Sequence, residues 1–474
     1  MASIGQRLQR SAQAAWQAWS MENEGPSSTS MAYGLWNGLD GETAERFERY
    51  ALLWKYYKGE HKKHLKPRQT PSGMGPDDNV IVNLSRRVVN KGAAFLFGEP
   101  LEWEIAGANE KQALDMLALV WRSQEWKMAF LNELAINGGV TGDYYLQLVP
   151  PTMPGQAPRI INLDPCVVIP TYADDDFDTM WRWDLLWRSS GQLKRQSYVL
   201  ADTGLSWDIV TELFIGGRWV ADPATPPDVW QYTWAPIFHG KNLPNPNCYF
   251  GLSDLDDADL NDAINQTVSN LNRIVRIFAH PVIWGRKFEQ SDLDVSKVSL
   301  SRQPDAMLGA LELAKDVGGA QGFADFLSTE FSETTQVPGN DPQRMAIGAQ
   351  SGFALRVLFH ELTQKTYVKR ALYGKTLIEV SQRALELAGM PENMPIKLHW
   401  RSPLPVDLNE QVINDKFELD YGLASRETIS AKRGYDYAEE KQRMQQEQTT
   451  SQATVNAMVQ GLARMQAGNG NGAQ

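Results

Sequence analysis

The chain has 474 residues, 42% of them hydrophobic, and a formal net charge of −11 at pH 7. No apolar run reaches the roughly 18 residues that a membrane span requires, and the N-terminal residues lack the apolar stretch of a secretory signal. The negative net charge excludes a protein that binds nucleic acid over its whole surface. The two cysteines, Cys166 and Cys248, lie far apart in the sequence, which excludes a disulfide scaffold and fits a reducing compartment.

The first half of the chain is predicted to place helices before a β-rich region. The spacing of apolar residues and the positions of glycines predict three helices and one strand. They are a helix ending at Gly59, a helix over 83–98, a strand over 101–107 and a helix over 109–137. Gly138 and Gly139 are expected to end the last helix. Short strands separated by turns then fill residues 158–238.

Residues 252–278 are the most informative stretch and are predicted to form one uninterrupted helix that begins at a Ser253 cap. At 1.5 Å per residue it would be roughly 40 Å long. One stripe is apolar, and a second is polar and mostly uncharged: Asp262, Asn265, Gln266, Ser269, Asn272 and Arg276. A surface helix usually carries Lys and Glu instead. The amides suit a helix packed among copies of itself, with one face towards water or a polymer that must not be held; the alternative is an ordinary amphipathic helix of an enzyme.

The second half is predicted to be mainly helical. A mixed segment at 279–319 precedes a helix at 320–335 and a loop, broken by prolines and glycines, at 336–350. A very long helical pattern follows over 351–390, and a kink is expected near Gly374. A strand and polar helices fill 391–445, and residues 446–474 are rich in Gln, Asn, Gly and Ala.

The sequence offers no constellation that predicts catalysis or a bound cofactor. His61 and His64 are expected to face solvent, and His239 lies far from the other histidines. The loop acids Asp174, Asp175 and Asp176 are a weak candidate for a divalent cation. A metal-dependent nuclease would need partner carboxylates on rigid elements, which this loop does not supply.

Several segments, taken in order, resemble one family. They are YYKGEHK at 56–62, NLSRRVVNKGAAFLFGEP at 83–100, NGGVTGDYYLQL, INLDPCVVIPTYADDD at 161–176, FGLSDLDDADLNDAINQTVSNLNRI, and TQVPG followed by SGFALRVLFHEL. In this order they resemble the portal proteins, or head–tail connectors, of tailed double-stranded DNA bacteriophages of the long-tailed type. The resemblance implies an α+β, mainly helical, elongated subunit with an α/β wing, a two-helix stem, a small α/β clip and a helical crown.

The resemblance also implies a division of the chain. The segments would be an N-terminal arm (1–41), the wing (42–251), stem helix 1 (252–278), the clip (279–319), stem helix 2 (320–335), the tunnel loop (336–350), a long wing and crown helix (351–390), the crown (391–445) and a low-complexity tail (446–474).

In portal proteins of this family, copies of the subunit form a ring and DNA passes along its axis. The resemblance therefore implies that some residues of this chain line a DNA channel. Lys and Arg contacts to phosphates supply most non-specific DNA affinity, so a conduit should carry few of them. The candidates are Asn340, Gln343 and Arg344 in the loop, with Asn265, Ser269, Asn272 and Arg276 on the long helix. The alternative for Arg344 is an ion pair with an acid of a neighbouring subunit.

The partners implied are those of a portal. About twelve copies would close a ring at one capsid vertex. Double-stranded DNA would pass through it, and the terminase large subunit, a head-completion (adaptor) protein and the major capsid or scaffold protein would bind it. The chain would be part of the virion, in the host cytoplasm during assembly, with no membrane partner and no enzymatic activity. Two alternatives remain: a metal-dependent nucleic-acid enzyme using the acids near residue 175, and another minor virion head protein.

Overall fold

The structure is a computed structural model. It describes residues 41–66, 69–70, 73–74, 78–279, 283–286, 305, 307–310, 318–339, 356–404, 408–433, 435 and 437–446, except positions 108, 123, 152, 154–155, 174–175 and 190. Residues 1–40 of the predicted arm, most of the predicted tunnel loop and residues 447–474 of the predicted tail therefore lie outside the described residues. The chain divides into two compact units, Met1–Leu404 and Pro405–Gln474. None of the described helices is long and apolar enough to cross a membrane.

Along the sequence of the first unit, the helices come before and after a β-rich region. They are α1 (Gly41–Lys58), α2 (Leu84–Phe97), α3 (Glu110–Trp121), α4 (Gln124–Thr141), α5 (Asp259–Ala279), α6 (Gly318–Thr335) and α7 (His360–Leu387), with 3₁₀ turns at His61–His64 and Pro165–Val167. The second unit contains α8 (Leu408–Asp420), α9 (Arg426–Lys432) and helical residues 437–446. This mixed content confirms the predicted α+β class.

The strands are antiparallel wherever they pair. They are β1 (Gln69–Thr70), β2 (Gly73–Met74), β3 (Glu102–Ile105), β4 (Asp143–Val149), β5 (Arg159–Leu163), β6 (Val168–Ala173), β7 (Asp176–Ser189), β8 (Gln192–Leu200), β9 (Trp207–Ile215), β10 (Arg218–Ala221), β11 (Asp228–Trp230), β12 (Ile237–Lys241), β13 (Ile283–Arg286), β14 (Met307–Ala310) and β15 (Ile396–His399). The largest sheet has the order β10-β9-β8-β7-β6 with β11 beside β9, and a second has the order β12-β4-β5. The β-rich prediction for 158–238 is confirmed.

Two hydrophobic layers hold the first unit together. The central sheet β12-β4-β5 lies between them: Tyr144 points into a helical core with Tyr373 of α7, and Tyr145 points into an aromatic core with Trp183 and Trp207 of the large sheet. Successive residues of a strand face opposite sides, so one strand joins both cores. Every residue of β4 is buried.

Helix α4 continues through the two glycines that were predicted to end it. It runs to Thr141, and the chain turns at Gly142, whose φ is +91°. The prediction failed because these glycines serve close packing rather than a break. A Cβ on Gly138 would lie 2.1 Å from Tyr373 Oη, and one on Gly139 would lie 3.0 Å from an oxygen of Asp254.

The long helix predicted over 252–278 begins later, at Asp259, and residues 254–257 form turns. Its 21 residues span about 32 Å rather than 40 Å. Ser253 lies too early to cap it: its hydroxyl oxygen accepts from the Leu255 N–H at 2.9 Å, and the hydroxyl donates to the Val140 carbonyl at 2.6 Å. The backbone N–H of Asp254 likewise donates to the Gly139 carbonyl at 2.9 Å. These bonds fasten the start of the stretch to the end of α4.

The division between the two compact units does not coincide with the crown boundary predicted at 391, which stays a prediction. Strand β15 pairs with β3, and Met390, Met394 and Ile396 belong to the helical core of the first unit, so the division falls after Leu404. Helix α7 continues without interruption through Gly374, and the expected kink there stays a prediction. Helix α6 begins at Gly318, two residues before the predicted start.

Candidate functional site

Three polar residues spaced by four along α5, Asn261, Asn265 and Ser269, are fully buried inside the subunit. The Asn261 carbonyl oxygen accepts from the backbone N–H groups of Leu84 and Ser85 at 3.0 and 3.1 Å, and its amide donates to the Val82 carbonyl at 2.9 Å. The first N–H groups of a helix have no partner within that helix. Asn261 therefore caps the start of α2 from a distant part of the chain.

The same stripe continues with Asn265 and Ser269, both fully buried. The Asn265 oxygen accepts from the N–H of Val82 at 2.8 Å, and the Ser269 hydroxyl oxygen accepts from the N–H of Val80 at 2.9 Å. The segment ahead of α2 has no strand partner, so its backbone groups need these side chains. The hypothesis that Asn265 and Ser269 face a DNA channel is wrong, since they stabilise the subunit itself.

The last turns of α5 are more open. Arg276 is 64% exposed, and its Nη1 lies 3.7 Å from Asp78. Arg273 pairs with the same carboxylate at 2.9 Å, and its hydrogen bond holds the pKa of Asp78 below its usual value. Asn272 is half-buried. Asn272 and Arg276 remain channel candidates, whereas Asn340, Gln343 and Arg344 lie outside the described residues.

His61 is fully buried, so the expectation that it faces solvent is wrong. Its Nδ1 lies 3.1 Å from Asp262, and Tyr56 donates to the other oxygen of that carboxylate at 2.7 Å. Burial and this carboxylate raise the pKa of the Tyr56 hydroxyl. Asp262 is thus a further member of the polar stripe that holds the chain ahead of α2. The side chain of His64 lies outside the described residues.

A buried carboxylate joins the segment before α5 to helix α7. Asp254 lies 2.5 Å from Lys369 Nζ and 3.0 Å from Lys365 Nζ. Although burial opposes ionisation, the two ammonium groups hold the pKa of Asp254 below its usual value. Burial lowers the pKa of Lys369 in spite of Asp254. Each buried charge is therefore tolerable only because the other is present.

A second buried carboxylate, Asp143, fixes the neighbouring turn. It accepts from Tyr50 at 2.5 Å and from the N–H of Gly251 at 2.9 Å, and lies 2.7 Å from His239 Nε2. His239, which lies far from the other histidines in the sequence, therefore has Asp143 as a close partner in the structure. A general acid or base must reach a substrate proton. Asp143 and His239 are buried, so this network is structural.

The acidic loop is only partly described. Asp174 and Asp175 lie outside the described residues, and Asp176 is exposed and accepts from Thr179 at 2.6 Å. Within the described ranges, no group of three or more His, Cys, Asp or Glu side chains could hold a metal ion. The weak metal hypothesis for Asp174–Asp176 therefore stays a prediction.

Comparison with known proteins identifies the C-terminal part of the chain. Residues 246–454 match the family described as phage portal protein, SPP1 Gp6-like. Over this region, which is a little under half of the chain, the sequence is similar to that phage portal family. The match spans α5, α6 and α7 together with the segment between them that was assigned to the tunnel loop. The prediction of a phage portal protein is confirmed. No curated protein sequence matches the chain.

Three solved structures are similar at low identity. A chain from the virion of a native gene transfer agent particle is 14% identical, with a TM-score of 0.44, covering 81% of this portal protein and 93% of that chain. A chain from the neck of an empty particle is 17% identical, with a TM-score of 0.43 and coverages of 75% and 90%. One from the neck of a native particle, computed with C12 symmetry, is 14% identical, with a TM-score of 0.41 and coverages of 74% and 89%.

Proposed function

We propose that this portal protein closes a ring of about twelve copies at one capsid vertex and that double-stranded DNA enters and leaves the head along the ring axis. The family match over residues 246–454 carries the proposal, because it includes both predicted stem helices, the clip and the tunnel-loop segment between α6 and α7. The wing, stem, clip and crown names are part of this proposal.

The charges of α5 support a conduit that passes DNA without holding it. Phosphate contacts by Lys and Arg supply most non-specific affinity. Among the described residues of α5 the two cations are Arg273 and Arg276, and both lie within 4 Å of Asp78. We propose that Asn272 and Arg276 face the channel together with Asn340, Gln343 and Arg344. A weak, mobile contact suits repeated translocation better than a fixed one.

The partners follow from this role. We propose that the terminase large subunit docks on the ring during packaging, that a head-completion protein replaces it, and that the major capsid or scaffold protein surrounds the ring. The chain would then be assembled in the host cytoplasm, reside in the virion and catalyse no reaction. The family match favours this role over the metal-dependent enzyme and over another minor head protein.

Vertex occupancy tests the proposed location. When a labelled chain is co-expressed with the capsid, scaffold and terminase proteins of its own phage, we expect label at a single vertex of each head, seen by electron microscopy. Heads assembled without the chain should lack that density and should not fill with DNA. Label spread over all vertices, or heads that fill normally without the chain, would contradict the proposal.

A further inference from the structure

The chain leaves helix α6 through a closed turn, residues 335–338, called the exit turn below. The N–H of Gln336 donates to the Glu333 carbonyl, and the N–H of Val337 donates to the Ser332 carbonyl, each at 3.1 Å. These two bonds form a Schellman motif, in which a glycine usually takes the left-handed position. Here Gln336 takes it, with a φ of +58°. A non-glycine residue keeps this conformation only where the surrounding structure fixes it.

The exit turn is packed against the subunit. Val337 is 3% exposed and lies in one apolar cluster with Phe331 of α6 and Leu362 of α7. Val337 and Phe331 occupy the two positions whose side chains commonly accompany a Schellman motif. Gly339 then lies beside the last turns of α6, since a Cβ on it would be 3.4 Å from Ser332 Oγ. The core beneath therefore fixes one side of the exit turn.

Two ammonium groups from other helices fix its carbonyl oxygens. Lys365 Nζ of α7 donates to the Thr335 carbonyl at 3.1 Å, and Lys91 Nζ of α2 donates to the Pro338 carbonyl at 2.8 Å. The last carbonyls of a helix have no partner within that helix. A hydrogen bond from a charged donor is stronger than one from a neutral donor. The two lysines therefore hold the first and the last residue of the exit turn.

Lys365 also joins the exit turn to a distant part of the subunit. Its Nζ lies 3.0 Å from the buried carboxylate of Asp254, ahead of α5. Lys369, four residues later on α7, donates to the same carboxylate at 2.5 Å. In the described part of the chain, Lys365 is the one of the two whose ammonium group also bonds to a carbonyl of α6. It therefore bridges the start of the α5 segment and the end of α6.

We propose that Lys365 is a positioning residue. Together with Lys91 it sets the path by which the chain leaves α6, and through Asp254 it ties that path to the segment before α5. The inference rests on the proposed function, in which the residues after the exit turn belong to the segment that faces DNA. In a symmetric ring every copy must present this segment in the same way. An exit turn held at two carbonyls gives each copy the same starting point.

The alternative is that Lys365 serves only to neutralise Asp254. The two roles differ in where the loss of the ammonium group is felt. Neutralisation alone predicts a general loss of stability, of the kind that removal of Lys369 would also cause. Positioning predicts a further and local effect at the exit turn, because a bond to a carbonyl of α6 is lost together with the ion pair.

Hydrogen exchange of the full-length chain, followed by mass spectrometry, separates the two roles. In K365M the peptide covering 332–339 should exchange about tenfold faster or more, because the exit turn opens more readily without a charged donor. K369M is the matched control, since it removes the other cation from the same carboxylate but leaves the Lys365 contact with Thr335 in place. K369M should lower the stability of the whole unit without a selective effect at 332–339.

Packaging provides the functional readout. When K365M replaces the unmodified chain during head assembly, rings should still form and occupy one vertex, but the heads should contain less DNA. Heads with K369M rings should fill as the unmodified heads do, at a temperature where both variants are folded. The amount of DNA protected from nuclease in each head population measures the difference.

Urea unfolding controls for folding, and K91M, at a half-buried position, serves with the same expected results if K365M does not fold. Exchange at 332–339 that is unchanged in the variant, or raised equally in K369M, would overturn the inference and leave the proposed function intact. Faster exchange at 332–339 with normal packaging would overturn it too. An unmodified chain that forms no ring at any concentration would instead refute the proposed function on which the inference rests.

Discussion

Replacing Asp254 by Asn is expected to lower the free energy of unfolding by about 3–5 kcal/mol, because it leaves buried ammonium groups without their counter-charge. Lys369 is 4% exposed and Lys365 10% exposed, so water cannot replace the carboxylate. Urea unfolding followed by tryptophan fluorescence measures the loss. D257N changes an exposed acid of the same segment and should alter stability by less than about 0.5 kcal/mol. A loss below about 1 kcal/mol in D254N would contradict this account.

The effect should depend on pH in one direction. The folded-state pKa of Asp254 is lowered, so its contribution is present above the ordinary value of 3.8 and is lost as the pH falls through the folded value. The stability difference between the unmodified chain and D254N should therefore be constant near neutral pH and shrink in acid below 3.8. A difference that grows in acid would mean that the carboxylate is not ionised in the fold.

Replacing Gly142 by Ala is expected to lower the free energy of unfolding by about 2–5 kcal/mol. Its φ of +91° disfavours any Cβ by about 1–2 kcal/mol. The added Cβ would also lie 2.5 Å from the Gly251 carbonyl oxygen, a backbone atom of the segment between β12 and α5, and such overpacking costs about 1–3 kcal/mol. Both terms act at the turn that fastens the start of the α5 segment to the central sheet.

Gly191 provides the matched control for this substitution. It has a φ of +76°, but a Cβ there would meet nothing within 4 Å. G191A should therefore lower the free energy of unfolding only by the strain of a Cβ at positive φ, about 1–2 kcal/mol, in the same unfolding measurement. Equal losses in G142A and G191A would show that the close approach of Gly142 to Gly251 is not important for stability.

The sequence predicted best those elements whose ends are set by neighbouring residues. Helix α2 begins after Asn83, whose oxygen accepts from the N–H of Arg86 at 2.8 Å, and ends at Gly98. Helix α1 ends before Gly59, whose φ is +85°. In both cases the signal and its effect lie within a few residues of each other, so a pattern along the chain is sufficient.

The errors arose where a partner is distant in the chain. In the sequence Gly138 indicates the end of a helix, whereas in the structure a glycine is needed there because Tyr373 packs against it. Asn265 and Ser269 resemble a wet face until the segment near residue 80 is seen to need their hydrogen bonds. His61 likewise finds Asp262 about 200 residues away. The spacing of Asn265 and Ser269 by four residues was assigned to the wrong partner, and Asn261, one step earlier in the same spacing, was the signal not used.

The candidate channel was predicted only in part for the same reason. Which face of α5 looks outward depends on what covers its other faces, and that was decided by residues 78–85 rather than by α5 itself. Asn272, which is half-buried, and Arg276, which is 64% exposed although it lies near Asp78, are the candidates that remain on this helix. The loop candidates Asn340, Gln343 and Arg344 lie outside the described residues and stay a prediction.

The most direct test of the central claim is the native mass of the purified chain together with negative-stain images of the same sample. We expect closed rings of about twelve times the 53.2 kDa of one chain, each with an axial hole wide enough for a DNA duplex. Because assembly depends on mass action, the measurement must extend to high chain concentration. A chain that stays monomeric or dimeric there would contradict the portal account, whatever its sequence match.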